Sequence, residues 1–425
     1  MPPASVMKLL TTAAAMELYG PSFRFETAIE YTGHIDEQGT LHGDLIIRGG
    51  CDPSLGNLKS YQRCLWVWIR ELKKAGIKKI DGSVVADQDL LDADAVNPAW
   101  IMEDVGNYYA PGIFALNYMD NTLNIVLRSG PIGTMADVLR TEPEYPNLQF
   151  INHIRCTHIN YDGAFVHGLP YTNIRYLTGS VPSNEGQFGV KSDMPNPGYL
   201  VAYHLTQRLE EAGISVMSHP LGELTNEMRL RKAPRTLVYT HQSDSLGALI
   251  AETNINSNNL YAEAIFRYMG LQYGTPGTIH NSCEVLRDFW KRRGVSVTNA
   301  LIKDGCGLAP QDAISAETFV QLLTYMSKSR NKDVFYASLP VSGVSGTLKP
   351  LLRGTVLEGK VHAKSGTIAG TKNYAGYIDL PNGHQWAFAI LINSAAGKAK
   401  NIQYIIEKYL LDLYNTQLNV SQASK

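Results

Sequence analysis

The strongest constraint on this chain is a pair of short motifs near its opposite ends. Ser5 and Lys8 are separated by two residues close to the first residue. Lys364, Ser365 and Gly366 form a basic triplet in the last part of the chain. A serine hydroxyl becomes a nucleophile only when a nearby base takes its proton. If both motifs serve one site, the two ends of the chain must fold into one domain.

The residues around Ser5 and Lys8 favour a helix. The run 5–19, SVMKLLTTAAAMELY, is rich in Ala, Leu and Met, and a Gly-Pro pair ends it. A residue three positions on lies on the same helix face, so the Lys8 amine can reach the Ser5 hydroxyl. Lysine acts as a base when burial or a nearby cation such as Lys364 lowers its pKa. Because a Ser-x-x-Lys is expected by chance about once or twice in a chain of this length, a capping serine beside a solvated lysine is the alternative.

A third element lies between two helical patterns. Ser257 and Asn259 form a Ser-x-Asn triplet between the runs 243–255 and 260–270, which both carry apolar residues at helical spacing. A hydroxyl at such a junction can relay a proton to a leaving group, and an amide can hold a substrate carbonyl. Serine and asparagine are also ordinary helix-cap residues, so the triplet alone does not indicate a site.

The residues around the basic triplet predict adjacent antiparallel strands. The runs 362–380 and 385–393 are rich in β-forming residues, and a Pro-Asn-Gly turn separates them. Gly366 would let a substrate backbone approach the strand, and Thr367 could offer its backbone N–H as half of an oxyanion hole. Lys364 and Ser365 supply a charge and a hydroxyl for a carboxylate.

With these three motifs in this order, the sequence resembles the class C low-molecular-mass penicillin-binding proteins, which are serine-type D-Ala-D-Ala carboxypeptidases and endopeptidases of bacterial cell walls. The resemblance covers nearly the whole chain and includes GGCDPSL (49–55), NYYAPGIFALNYMDN (107–121), DGCGL (304–308) and LPVSGVSGTL (339–348). It implies the α/β penicillin-binding, β-lactamase-like transpeptidase fold, in which helices flank an antiparallel sheet. We expect residues 1–26 and 237–425 to form the catalytic domain. Residues 27–236 would be an inserted region, of one or two β-rich subdomains.

The resemblance also implies catalytic roles. The carbonyl of the penultimate D-Ala of a substrate would acylate Ser5, with Lys8 as the general base. Ser257 would pass a proton to the departing D-Ala, and Asn259 would bind the substrate amide. Lys364 would position Ser257 electrostatically.

Further residues are implied to bind substrate. Ser365 and Thr367 would hold the terminal carboxylate, and the backbone N–H groups of Ser5 and Thr367 would form the oxyanion hole. Asp104 and Tyr109 match an inserted-region pattern that meets the free amino group of diaminopimelate in the peptide stem. Peptidoglycan stem peptides and β-lactam antibiotics are therefore the expected partners, and a homo-oligomer is compatible with the sequence.

The chain departs from the family pattern at three places. Cys306 replaces a serine and Pro310 an arginine of a D-G-S-G-L-S-R pattern, and Ser365 replaces a threonine with loss of one methyl. Family members carry an export signal, a helix and strands ahead of the nucleophile, whereas four residues precede Ser5 here. Strands missing at that point would expose a sheet edge. We expect a periplasmic or extracytoplasmic location for the full-length form, although this chain shows no export signal.

Composition supports a globular enzyme. Hydrophobic residues make up 44% and charged residues 18%, with a formal net charge of −1, which gives no indication of a nucleic-acid surface. No apolar run reaches the length of a membrane span. Five scattered cysteines and eleven unclustered histidines indicate neither a zinc site nor a dense disulfide framework. The family resemblance implies that water hydrolyses the acyl-enzyme, so no metal or cofactor is expected.

Two further helices are predicted from the spacing of apolar residues. The patterns predict a helix from about Leu58 to Ala75 and a final helix over 401–414 that packs on the sheet. The apolar residues expected on the packed face are Ile402, Ile405, Ile406, Tyr409 and Leu413.

The alternative functions are a serine β-lactamase or esterase on the same scaffold, and a truncated, inactive homologue that binds wall peptides or β-lactams.

Overall fold

The computed structural model describes residues 1–57, 61–395 and 399–423, except for the side chains of residues 61, 62, 399 and 417–423. The chain divides into two compact units. The first contains Met1–Phe23, Ser245–Tyr273 and Ile279–Lys425, and the second contains Arg24–Asp244 and Gly274–Thr278. All five cysteines are buried, and none of them forms a disulfide within the described residues.

The elements are numbered in chain order. The α-helices are α1 (Lys8–Tyr19), α2 (Tyr61–Lys74), α3 (Pro197–Glu211), α4 (Asn226–Arg231), α5 (Leu246–Asn256), α6 (Asn259–Met269), α7 (Ile279–Arg292), α8 (Ala316–Met326), α9 (Lys332–Ala337) and α10 (Ala399–Ala423). The strands are β1 (Glu26–Thr32), β2 (His34–Ile35), β3 (Thr40–His42), β4 (Leu45–Arg48), β5 (Lys79–Ile80), β6 (Val84–Asp87), β7 (Thr122–Arg128), β8 (Asp137–Glu142), β9 (Gln149–Asn152), β10 (Arg155–Thr157), β11 (Gly163–His167), β12 (Ile174–Pro182), β13 (Phe188–Asp193), β14 (Ser215–Val216), β15 (Arg235–Gln242), β16 (Val361–Ile368), β17 (Thr371–Asp379) and β18 (Gln385–Ile392). Short 3₁₀ helices cover Ala4–Met7, Met119–Asn121, Gly270–Tyr273 and Gly346–Leu348.

The central helix of the first unit is α1, which is buried on all sides from Lys8 to Met16. Leu9, Leu10 and Met16 are fully buried, as are the alanines between them. A helix that is apolar all round lies inside a protein, and its small residues let neighbouring helices approach closely. The indole N–H of Trp290, on α7, donates to the Leu10 carbonyl oxygen at 3.1 Å. The position of the α1 N-terminus is therefore set by packing along its whole length.

An antiparallel sheet in the order β16-β17-β18 completes the first unit. Its register pairs Lys364 with Ala375 and Gly366 with Asn373. The Pro-Asn-Gly turn predicted between the last two strands is present, and the backbone N–H of Gly383 donates to the Leu380 oxygen at 3.0 Å. Strand β18 forms one edge of this sheet.

Helix α10 packs in the same core as this sheet through a face that the sequence predicts only in part. Ile402 and Ile406 are buried as expected. The prediction is wrong for Ile405, Tyr409 and Leu413, whose exposed fractions are 62%, 55% and 40%. Leu410 and Tyr414 occupy the buried face instead. Helix α10 carries apolar side chains on several of its faces, so their spacing does not determine which face packs on the sheet.

The second unit is built from four small sheets. Their strand orders are β15-β1-β4-β6, β14-β5-β3-β2, β13-β7-β8 and β10-β12-β11, with β9 also paired to β12. Helices α2 and α3 contribute Trp68, Leu72, Leu200 and Leu205 to its largest core. The start of α2 that the sequence predicts at Leu58 lies outside the described residues. No helix of the part that the structure describes is long and apolar enough to cross a membrane.

Candidate active site

The Lys8 amine lies at the centre of the candidate site. Its Nζ is 3.0 Å from Ser5 Oγ, 2.6 Å from Asn259 Oδ1 and 2.8 Å from the Cys306 carbonyl oxygen. The four residues come from the Ala4–Met7 turn, α1, α6 and the loop after α7. The fold thus brings Asn259 of the Ser-x-Asn triplet to the Ser5-x-x-Lys8 motif, and it adds a backbone oxygen that the motifs do not contain.

Local helix geometry holds Ser5 beside Lys8. Ser5 lies in the Ala4–Met7 turn, which runs directly into α1, so the two side chains are three residues apart along one helical path. Ser5 is half-buried and Lys8 fully buried. Burial lowers the pKa of Lys8, and the acidic groups of Cys306, Asp304 and Glu263 oppose that shift. Burial disfavours the charged ammonium, so it promotes the neutral amine that a base requires.

Ser257 and Asn259 lie at the predicted junction between helices α5 and α6. Ser257 ends α5 in the left-handed conformation, with φ 59° and ψ 38°. The Asn258 side chain caps α6 by accepting from the Tyr261 N–H at 3.1 Å. Asn259 then begins α6 and accepts from Lys8. Within the described residues, the Ser257 hydroxyl makes no hydrogen bond to Ser5, Lys8 or Lys364.

Strand β16 lies against the turn that carries Ser5. A Cβ added at Gly366 would lie 2.7 Å from the Pro3 oxygen and 3.0 Å from the Ser5 nitrogen, so only glycine fits there without movement. Asn373, opposite Gly366 on β17, donates its side-chain amide to the oxygens of Pro2 and Pro3 at 2.9 and 3.0 Å. The Lys364-Ser365-Gly366 triplet is therefore adjacent to the turn that carries Ser5.

The side chains of β16 have specific partners. Lys364 Nζ donates to the Ser365 carbonyl oxygen at 2.8 Å. The Ser365 hydroxyl donates to Thr347 Oγ1 at 2.7 Å, and exposed Thr367 accepts from Lys372 Nζ at 3.0 Å. Burial lowers the pKa of Lys364 well below its usual range, and the nearby cations Lys8 and Lys372 add to this effect. Burial thus lowers the pKa of both Lys8 and Lys364.

Asp104 and Tyr109 belong to the second unit. The Tyr109 hydroxyl donates to Asp104 Oδ1 at 3.0 Å. The backbone between them is turned, because the Asn107 side chain donates to the oxygens of Glu103 and Asp104. Burial raises the pKa of the half-buried Asp104 carboxyl, and the charge of Glu103 adds to this while the Tyr109 hydrogen bond opposes it. The two predicted side chains therefore form a pair.

The loop 304–309 contributes contacts that the sequence analysis did not assign. It follows the Asp-Gly-x-Gly pattern, in which the aspartate side chain can accept hydrogen bonds from the backbone N–H groups of a tight turn. Within the described residues, the group of Glu263, Asp304 and Cys306 is close enough to hold a metal ion, with one ligand atom of each within 4.8 Å of the others. Each of its two carboxyl groups accepts a backbone hydrogen bond, Glu263 from Gly305 and Asp304 from Gly307.

The comparisons with known proteins agree on one group of enzymes. A family model described as the D-Ala-D-Ala carboxypeptidase 3 (S13) family matches residues 1–411. A D-alanyl-D-alanine carboxypeptidase of Actinomadura sp. (strain R39) is 27% identical over 411 residues, which cover 93% of this chain and 74% of the relative. The D-alanyl-D-alanine carboxypeptidase DacB of Haemophilus influenzae is 26% identical over 405 residues, which cover 92% and 80%. The crystal structure of penicillin binding protein 4 from Haemophilus influenzae has a TM-score of 0.82 at 25% identity, and covers 97% of this chain and 91% of that chain.

Proposed function

Because the chain belongs to the D-Ala-D-Ala carboxypeptidase 3 (S13) family, we propose that it hydrolyses the D-Ala-D-Ala end of peptidoglycan stem peptides through an acyl-enzyme on Ser5. The observation that carries this proposal is the buried Lys8 amine at 3.0 Å from Ser5 Oγ, with Asn259 on the same amine. A hydroxyl and a desolvated amine at this distance are a nucleophile and its base.

In the acylation step, the Ser5 proton passes to Lys8 while Ser5 Oγ bonds to the carbonyl carbon of the penultimate D-Ala. The ammonium formed on Lys8 has three acceptors in reach once the serine oxygen is included. Ser257 then passes a proton to the nitrogen of the terminal D-Ala and takes in exchange the proton that Lys8 received from Ser5, and the C–N bond breaks. In the second step the oxygen of a water molecule bonds to the acyl carbon, the ester bond to Ser5 breaks, and a proton from that water returns to Ser5 Oγ.

The strained backbone of Ser257 supports its role in that relay. A non-glycine residue in the left-handed region costs about 1–3 kcal/mol, and glycine would remove most of that cost. Such strain at a junction that borders the site is consistent with a hydroxyl kept for chemistry. Lys364 acts in the same region through its charge, which raises the local potential at the leaving group.

Substrate recognition is proposed for β16 and for the Asp104 pair. The terminal carboxylate would bind Lys364, Ser365 and Thr367, and its negative charge would raise the lowered pKa of Lys364 again. A diaminopimelate ammonium would bind Asp104 and Tyr109, in place of the proton that burial favours on Asp104. A β-lactam would acylate Ser5 in the same way as the peptide.

The domain division and the location belong to the same proposal. Residues 1–26 with 237–425 would form the catalytic domain, and 27–236 the inserted region, a division supported by two compact units of similar extent. A substrate in the cell wall requires an extracytoplasmic enzyme.

A fluorescent penicillin tests this function directly. We expect a covalent label on the wild-type chain, none on Ser5→Ala, and release of D-Ala from a peptide that ends in D-Ala-D-Ala. Ser329, which also has a lysine three residues on, provides the control: Ser329→Ala should label normally. A wild-type chain without a Ser5-dependent label would contradict the mechanism. Rapid release of hydrolysed penicillin would favour the β-lactamase alternative.

A further inference from the structure

The hydrogen-bond partners of Lys8 determine which way the lone pair of its amine points. A neutral amine has two N–H bonds and one lone pair. Asn259 Oδ1 and the Cys306 carbonyl oxygen can only accept, at 2.6 and 2.8 Å. Ser5 alone among the three partners can donate, through its O–H. If the two pure acceptors take both N–H bonds, the lone pair of Lys8 points at the Ser5 proton.

The Cys306 carbonyl oxygen is held in place by its own loop. Asp304 Oδ1 accepts the Gly307 N–H at 2.6 Å, and Oδ2 accepts those of Leu308 and Ala309 at 2.9 and 2.7 Å. Asp304 is fully buried. One carboxylate thus fixes three consecutive peptide groups directly after Cys306. An amide in its place would put a donor against at least one of these N–H groups.

Two further contacts bring this loop against the Ala4–Met7 turn and helix α1. Gly307 has a left-handed φ of +80°, and a Cβ added there would lie 1.8 Å from the Ala4 carbonyl oxygen. The Thr11 hydroxyl, one turn after Lys8 on α1, donates to the Gly305 oxygen at 2.7 Å. The loop therefore touches both the residue before Ser5 and the helix that carries Lys8, so a shift of the loop would move the Cys306 oxygen relative to the amine.

We propose that Asp304 is a positioning residue: it orders residues 306–309 so that the Cys306 carbonyl takes one N–H of neutral Lys8 and the lysine lone pair is directed at Ser5. The proposal rests on the proposed roles of Ser5 and Lys8. Asp304 itself touches neither the substrate nor the reacting atoms.

The surrounding ionisable groups decide how the pH dependence is to be tested. The groups that face Lys8 or Asp304 are Glu263 on α6, Cys283 on α7 with Arg287 beside it, Lys364 on β16, and Cys306 and Asp312 near Asp304. Burial raises the pKa of Glu263 to about 8, so this side chain is largely neutral at pH 7. The negative charge of Asp304 raises the pKa of Lys8 against the effect of burial. Removal of that charge should lower the pKa of Lys8.

The experiment measures the second-order rate constant of Ser5 labelling by fluorescent penicillin from pH 5 to 9. Acylation requires neutral Lys8, so the rate falls on the acid side of the lysine pKa. In Asp304→Asn we expect the plateau rate to fall by about 10- to 100-fold, and the acid limb to move to lower pH. Glu263→Gln is the matched control, because it removes an ionisable carboxyl of the same buried cluster but keeps a side-chain oxygen that can accept the Gly305 N–H. It should keep the wild-type rate and acid limb below pH 8.

Thr11→Val separates position from charge. It removes the hydroxyl that holds Gly305 but leaves every charge in place, so the plateau rate should fall by about 3- to 10-fold with an unchanged acid limb. This variant also keeps the proposal testable if Asp304→Asn does not fold. Wild-type labelling by Thr11→Val would then overturn the positioning role.

The remaining outcomes separate this proposal from the proposed function. A wild-type acid limb in Asp304→Asn, with only a smaller labelled fraction, would indicate a purely structural residue and overturn the proposal. An equal loss in Glu263→Gln would do the same. Absence of a Ser5-dependent label on the wild-type chain would overturn the proposed function itself, and the positioning role with it.

Discussion

Replacement of Gly366 by alanine would test how closely β16 approaches the Ala4–Met7 turn. The added Cβ would lie 2.7 Å from the Pro3 oxygen and 3.0 Å from the nitrogens of Ser5 and Val6, all of them backbone atoms. Ordinary contact begins at 3.4 Å, so the strand or the turn must move by about 0.7 Å. Overpacking of this kind costs about 1–3 kcal/mol of unfolding free energy. A misplacement of about 1 Å at a reacting centre can cost about 10²-fold in rate.

The assay for this variant is Ser5 labelling by fluorescent penicillin, with urea unfolding measured in parallel. We expect Gly366→Ala to label about 10- to 100-fold more slowly. Gly186→Ala is the control, since a Cβ at Gly186 would meet nothing within 4 Å and its backbone is not left-handed. The close approach would be refuted by a Gly366→Ala variant with the wild-type labelling rate and the wild-type free energy of unfolding.

Three further predictions concern the proposed roles. Lys8→Met should lower the labelling rate by about 10²- to 10⁴-fold at every pH. Since burial lowers the pKa of Lys8, the wild-type labelling rate should rise with pH and reach its plateau below the usual lysine pKa of about 10.4. A wild-type labelling rate that does not change with pH would contradict the role of Lys8 as base. Ser257→Gly should leave the free energy of unfolding unchanged or raise it by up to about 1 kcal/mol, because glycine adopts a φ of 59° without strain. The rate of D-Ala release should nevertheless fall by about 10²-fold. A wild-type rate of D-Ala release would exclude Ser257 as the proton relay. Asp104→Asn should raise KM for a peptide with a free diaminopimelate amine and leave penicillin labelling unchanged, so equal effects on both would contradict an ammonium site at Asp104.

The sequence alone supported much of the first unit because its signals there are local. The run 5–19 combines strong helix formers with a Gly-Pro end, and the structure has α1 from Lys8 to Tyr19. The spacing of Ser5 and Lys8 fixes their contact within one helical turn, whatever the rest of the chain does. The strands around Lys364 and the turn before β18 follow from β-forming residues and turn residues in the same way.

The face of α10 was not readable from the sequence. Ile402, Ile405 and Ile406 have equivalent apolar character, and a helix with apolar residues on several sides offers more than one face to a sheet. Packing against the core residues Tyr374 and Ile378 buries Ile402 and Ile406, while Ile405 remains exposed.

By itself, then, the sequence determined which groups are candidates for the reaction and the local elements that carry them: a helix with Ser5 and Lys8, a helix junction at Ser257, and a strand with Lys364. The tertiary structure decided what surrounds the amine. Asn259 and the Cys306 carbonyl reach Lys8 across 251 and 298 residues of chain. Such contacts come from the closure of long loops and from buried packing, which no local periodicity encodes. Every residue has a backbone oxygen, so residue types cannot indicate that the Cys306 carbonyl contacts Lys8. The surroundings proposed to direct the Lys8 lone pair could therefore be recognised only in the folded structure.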